Sequence, residues 1–342
     1  MTLRRSGPSR GLVVCAIFVF ALVIVASAGR MAAQQVHEGN KSGVHLLHVQ
    51  GRVYMLVGAG ANITVQVGDE GIILVDAGTA QMSDQVISVI KALSQKPIEF
   101  IFDTSADEDH VSGNHNLAKA GHFASGLPGE ETEASVFAHL TVLDRMSVPA
   151  GKEPPVPSEL WPTDTYDNDE WELFNDEAVI VEHPHAAHTD GDSIVFFRRS
   201  DVISAGDIFT PHLYPMIESH MGGTINGEID ALNKIIDIMV PKENEEGGTY
   251  VIPGHGRLCD RTDIVNYRDM VTIIRDRIED LVKKGRTLEQ VKAAKPTLDY
   301  DGIYGTDTGP WTTDMFIEAV YNDLSTERST QGGERQGTGE KR

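Results

Sequence analysis

From Arg52 onward the apolar residues fall into short runs broken by glycine. Val53–Val57, Ile63–Val67 and Ile72–Val75 are β-rich. The breaks between them, Gly58-Ala59-Gly60-Ala61-Asn62 and Gly68-Asp69-Glu70-Gly71, are short enough to make an antiparallel meander. Asp76-Ala77-Gly78 closes the third run. Val86, Ile87, Val89, Ile90 and Leu93 then recur at helical spacing, which predicts a helix over Met82–Leu93. Ile98–Phe102 reads as a buried strand and Val111–Ala120 as a helix.

The second half has a similar rhythm. Ala178–Val181, Ser193–Phe197 and Val202–Ala205 read as strands. Gly227–Val240 reads as a helix with Ile229, Leu232, Ile235, Ile236 and Met239 on one side. Thr249–Ile252 is a strand running into Pro253-Gly254-His255-Gly256. Helices follow over Asp263–Lys284, Leu288–Ala294 and Thr313–Leu324. Between the halves Val148–Asp169 is rich in proline and acids and has no period, so it is expected to be a surface excursion near the mouth of any site. The expected organisation is a leader or anchor over 1–33, a linker or edge segment over 34–50, one domain over 51–324 and a disordered tail over 325–342.

Composition narrows the partners. Among 342 residues, 51 Asp+Glu against 29 Lys+Arg leave a net charge of -22, a field that repels phosphate backbones and argues against nucleic acid. Arg4, Arg5 and Arg10 precede the apolar run Leu12–Ala26, and Ala26-Ser27-Ala28 or Met31-Ala32-Ala33 offers small residues for cleavage. That pattern predicts a signal peptide and a periplasmic or secreted protein, with membrane attachment only if this segment stays uncleaved. Beyond it Cys259 stands alone, so the mature chain is expected to lack an intramolecular disulfide.

Candidate chemistry sits in four loops, each after a strand. Phe102–Asn114 reads F-D-T-S-A-D-E-D-H-V-S-G-N, crowding Asp107, Asp109 and His110 together. Close carboxylates repel unless protons, a cation or solvent neutralises them, so the loop is either a divalent-metal site or a solvated acidic turn. The others are Glu182–Asp192 with His183, His185 and His188, then Gly206-Asp207-Ile208-Phe209, and Pro253–Gly256 with His255. Donors on successive strand ends of two β-halves would converge at one sheet edge.

Leu74-Val75-Asp76-Ala77-Gly78, the 104–110 loop with Gly113-Asn114, His188-Thr189-Asp190-Gly191-Asp192, Gly206-Asp207 and Gly254-His255-Gly256 together resemble, in chain order, the metallo-β-lactamase superfamily over nearly all of Arg52–Leu324. The resemblance implies an α/β four-layer αββα sandwich of two similar halves, with one or two divalent metals at the sheet edge. It implies ligands Asp109, His110, Asp207 and His255 at one site, and His188, Asp207 and Asp107 at the other. Asp76 corresponds to a structural aspartate behind the metal loop. Zinc is expected at the intact site, with manganese or iron as alternatives.

The family's H-x-H-x-D-H motif is altered, with Ser105 and Asp107 standing where it has its first two histidines. Carboxylate in place of imidazole hardens the depleted site and favours Mn, Fe or Mg over Zn. Asp107 and Asp109 are the candidate catalytic carboxylates, and Ser105, His139, Asp76 and His185 are candidates for substrate contact or support. The expected function is an exported metal-dependent hydrolase opening an ester, lactone, lactam, thioester or phosphodiester bond of a small molecule. The alternative is an inactive relative that binds a ligand or a structural ion.

Overall fold

In this computed structural model the described residues are 43–124, 131–148, 156–244 and 247–337. The expected leader over 1–33 lies outside them. Strands β1 (His45–Gln50), β2 (Val53–Ala59), β3 (Ala61–Val67) and β4 (Ile72–Val75) form the expected antiparallel meander. Helix α1 (Ser83–Leu93) crosses over to β5 (Ile98–Phe102), parallel to β4. Helices α2 (Glu108–Val111) and α3 (Asn114–Ala120) follow, then a small two-stranded sheet of β6 (Phe123–Ala124) and β7 (Glu131–Thr132). β8 (Ser135–His139), helix α4 (Leu140–Ser147) and β9 (Asp164–Tyr166) complete a seven-stranded sheet ordered β1-β2-β3-β4-β5-β8-β9.

The second half repeats the plan. β10 (Glu170–Phe174), β11 (Glu177–Glu182), β12 (Ile194–Phe197) and β13 (Val202–Ser204) are antiparallel. Helix α5 (Ile225–Ile238) crosses to β14 (Tyr250–Ile252), parallel to β13, and β15 (Cys259–Asp260) closes the six-stranded sheet. Helices α6 (Arg261–Lys283), α7 (Leu288–Ala293), α8 (Asp301–Tyr304) and α9 (Thr313–Gly337) follow.

The alternation of strand side chains makes the layers. Ile73 and Val75 of β4 meet Val195 and Phe197 of β12 in a core between the sheets. Ile72 and Leu74 face outward beneath Val86 and Ile90 of α1. Ile194 and Phe196 face the other way, beneath Ile229 and Leu232 of α5, Ile274 of α6 and Phe316 of α9. Strands buried on both faces read as unbroken apolar runs, which is why β4 and β12 are legible in sequence. The result is the αββα sandwich.

Of the stretch read as a linker or an edge segment, His45–Gln50 forms edge strand β1, because Leu46 and Leu47 each pack against an apolar core. The stretch Val148–Asp169 is not wholly an excursion: Asp164–Tyr166 pairs in parallel with β8, and Tyr166 reaches the inter-sheet core. The helix expected over Val111–Ala120 is two pieces, because the chain bends at Gly113, whose N–H donates to Gly78 O at 2.9 Å. Helix α9 runs past Leu324 to Gly337, seeded where Phe316, Ile317, Val320 and Leu324 pack on the core, and 338–342 of the expected tail lie outside the described residues. Among the described residues no helix is long and apolar enough to cross a membrane.

Candidate metal centre

Asp76 follows β4 in the left-handed region (φ 66), a conformation aspartate tolerates better than most residues. Its fully buried carboxylate accepts from Thr104 N–H at 2.8 Å and Thr104 Oγ1 at 2.9 Å, and meets His110 Nδ1 at 2.9 Å. The Asp76 contact fixes the ring, so that His110 Nε2 faces Asp207 Oδ2, 3.5 Å away. Asp76 therefore supports the loop from behind.

Two donor groups meet at the sheet edge. Donor atoms of Asp109, His110 and His255 all lie within 4.8 Å of one another, and so do those of Asp107, His188 and Asp207. Asp207 joins the groups, since its Oδ1 is 3.7 Å from His255 Nε2 while its Oδ2 faces His110. His110, His188 and Asp207 form a buried floor. Asp107, Asp109 and His255 stand at the open side, their side chains 28%, 37% and 39% exposed.

Contacts remote in sequence hold this arrangement. Asn62 at the start of β3 grips the His255 loop: its Nδ2 donates to Pro253 O at 2.9 Å and Gly256 O at 3.1 Å, and its N–H to Gly254 O at 2.7 Å. Gly254 lies so close to Asp207 that a Cβ there would sit 2.0 Å from Asp207 Oδ1. Asp192 accepts from Thr189 N–H and Oγ1 and faces His188 Nδ1 at 3.5 Å. Ser105 Oγ donates to Asp107 Oδ2 at 2.6 Å.

Without a cation the cluster is an ion network. Burial by itself would lower the His110 pKa, but the Asp76 and Asp207 carboxylates hold it well above its ordinary value. Burial also opposes the charge on His188, yet Asp192, Asp107 and Asp207 lift it to about 10. Burial alone would push Asp207 up; the three imidazoles His110, His188 and His255 pull it far down instead. The His255 hydrogen bond lowers Asp109, and the same bond raises His255. Raised imidazoles beside lowered carboxylates mark a place where positive charge is favoured.

The donors fit a divalent ion. His110 Nε2, both His188 nitrogens and Asp207 Oδ1 are buried without a hydrogen-bond partner, a costly condition that coordination would relieve. Two imidazoles and a carboxylate in the first group match a zinc set, while one imidazole and two carboxylates in the second form a harder one.

Other sequence candidates lie elsewhere. His139 ends β8, caps α4 through Thr141 N–H, and stacks on His183 with ring centroids 3.5 Å apart. It belongs to neither donor group. His185 is exposed and lies edge-on to His183, 5.0 Å between centroids. His183 and His185 help line a separate polar cavity of about 480 Å³, together with Asp169 and Lys234. Cys259 is buried, and its thiol is pushed up to about 12, chiefly by burial. Tyr214 is structural, its hydroxyl donating to Asp301 Oδ1 at 2.8 Å. The pattern gave no sign of Asn62 or Glu228. Glu228 on α5 is fully buried, with neither carboxyl oxygen hydrogen bonded, in a window whose apolar spacing drew attention to its neighbours.

Residues 56–292 match the family model of the metallo-beta-lactamase superfamily. Over 324 residues the chain is 22% identical to an (R)-specific secondary-alkylsulfatase of Pseudomonas sp., covering 82% of this chain and 46% of that protein. Its fold is similar to the solved structure of a stereoselective inverting sec-alkylsulfatase from Pseudomonas sp., with TM-score 0.58, 17% identity, and coverage of 81% of this chain and 49% of that one. A metallo-beta-lactamase from Pontibacter korlensis superposes with TM-score 0.51 and 12% identity, over 67% of this chain and 99% of that one. The chain thus spans about half the length of the alkylsulfatases it matches.

Proposed function

Because the chain belongs to the metallo-β-lactamase superfamily, we propose that it is a metal-dependent hydrolase of a small-molecule ester, with alkyl sulfates the first substrates to try. One observation carries the reading: Asp207 of one donor group faces His110 and His255 of the other, and the buried nitrogens His110 Nε2 and His188 Nδ1 and Nε2 have no hydrogen-bond partner. Asp109, His110 and His255 with Asp207 would hold one divalent ion, zinc by donor type, and Asp107, His188 and Asp207 a second. Such an ion, when bound, polarises the scissile group and makes water a nucleophile near neutral pH.

The chain's own residues do the rest. Asp76 sets the His110 ring, and Asp192 sets His188. Asp107 and Asp109, at the open side, are the carboxylates able to take a proton from attacking water. The related alkylsulfatases favour sulfate esters over the carboxylic ester, lactone, lactam, thioester and phosphodiester alternatives. The replacement of two motif histidines by Ser105 and Asp107 favours the second reading, a non-catalytic metal or ligand binder. The basic and apolar N-terminal segment supports export to the periplasm or beyond, which fractionation of the native host would check.

The test is metal analysis of the purified chain together with turnover of secondary alkyl sulfates and a panel of the other bonds. Metal-dependent turnover that Asp207→Ala and His255→Ala abolish is the expected result. Bound metal without turnover on any of them favours the binder, and absence of metal defeats the hydrolase reading and leaves only a metal-free ligand binder.

A further inference from the structure

Asp107 occupies the N-cap position of α2, where an aspartate ordinarily turns its carboxylate onto the backbone N–H groups of the first turn. Here it makes no such bond. Ser105, two residues earlier and 1% exposed, is the alternative partner. Its Oγ–H donates to Asp107 Oδ2 at 2.6 Å, and its oxygen accepts from Asp107 N–H at 3.2 Å. Its only hydroxyl proton and one of its two lone pairs are engaged by Asp107, which makes Ser105 a holder of that carboxylate. The same Oδ2 lies 3.7 Å from His188 Nδ1.

We propose that Ser105 is a positioning residue that turns Asp107 away from the helix cap and into the His188–Asp207 group, making that group a second site for a hard divalent cation such as Mn2+. The proposal rests on the metal-dependent reading above. Its chemistry follows from the donors: two carboxylates and one imidazole suit a harder ion than the two imidazoles and one carboxylate of Asp109, His110 and His255. The two groups therefore differ in preference, and the chain holds an unlike pair of ions.

The alternative rotamer is also favourable, because a freed Asp107 gains the cap bond that it now forgoes. Removing the Ser105 hydroxyl should therefore harm the second site more than the fold. The experiment uses the full chain stripped of metal, titrated first with Zn2+ and then with Mn2+, the bound manganese being counted by electron paramagnetic resonance. The wild type should take one equivalent of each. Ser105→Ala should weaken the Mn2+ equivalent about 10–100-fold, the range for loss of a ligand's supporting partner, and leave the Zn2+ equivalent unchanged. Ser105→Thr, which keeps the hydroxyl, should restore it. Asp107→Ala should weaken it at least as far, and adding Ser105→Ala to Asp107→Ala should do nothing more, since Ser105 acts only through Asp107.

Manganese binding by Ser105→Ala at wild-type strength would overturn the proposal, as would additive effects in the double variant. Loss of both cations together in Ser105→Ala would overturn it too, by marking general damage. A wild type that binds one ion only sinks the second site but leaves the hydrolase reading standing. A wild type that binds none ends both.

Discussion

His110 and Asp76 lie 34 residues apart, yet Nδ1 of one meets Oδ2 of the other at 2.9 Å with both side chains sealed from solvent. The contact orients the one imidazole on the site floor that belongs to the altered motif. Asp76→Ala should leave a buried imidazolium without its partner, costing about 3–5 kcal/mol of stability. It should also weaken the zinc equivalent about 10–100-fold. Thermal melts and zinc titration check the two effects separately; a variant that binds zinc as the wild type does would show that Asp76 only supports the fold.

Cation-free protein should have a defined pH profile. The folded-state pKa of His188 is lifted from 6.5 to about 10, so its stabilising contribution is complete below pH 6.5 and is lost as pH rises toward 10. Asp109 and Asp207 are held below 3.8, so theirs is present above that value and disappears on acidification. Melting temperature should therefore be highest between those limits and fall on the alkaline side. Metal binding at pH 7 should release protons as the ion replaces them. Calorimetry in buffers of different ionisation enthalpy measures this directly, and a buffer-independent heat would contradict it.

Gly254→Ala tests the close approach of the fourth loop. The added Cβ would stand 2.0 Å from Asp207 Oδ1, so the carboxylate must move. Both cation equivalents should weaken, because Asp207 faces both groups, with a stability loss of about 1–3 kcal/mol from overpacking. Unchanged cation binding would mean that the loop shifts instead of Asp207.

Glu228→Met is expected to stabilise the protein. The buried carboxyl has no hydrogen bond, and burial together with the Asp192 charge raises its pKa well above 4.5. The folded state must therefore keep a proton that the unfolded chain releases, and stability falls as pH climbs past 4.5. Methionine of similar length removes that cost, a gain of about 1–3 kcal/mol at pH 7. The gain should shrink near pH 4. Denaturant melts at the two pH values decide it, and equal gains at both would point to packing alone.

Much of the architecture is legible without coordinates. Apolar runs such as β4 and β12 announce strands covered on both faces, and the spacing in α1 and α5 announces helices that bury one side. Polar and short elements are less visible. β1 carries two histidines and a glutamine among its apolar residues, and β9, Asp164-Thr165-Tyr166, has no run at all; each pairs because a longer neighbour offers it an edge.

By itself, the sequence determined which residues carry side chains of the kind that can donate to a metal and that each stands in a loop after a strand. Only the tertiary structure decided how those side chains were aimed. Asn62 clamps Pro253 across 191 residues, Ser105 takes Asp107 from its own helix cap, and Asp207 stands between two groups. The reason is physical. Periodicity reports which face of an element is apolar, whereas the rotamer of a polar side chain is chosen by the donors and acceptors that packing brings beside it.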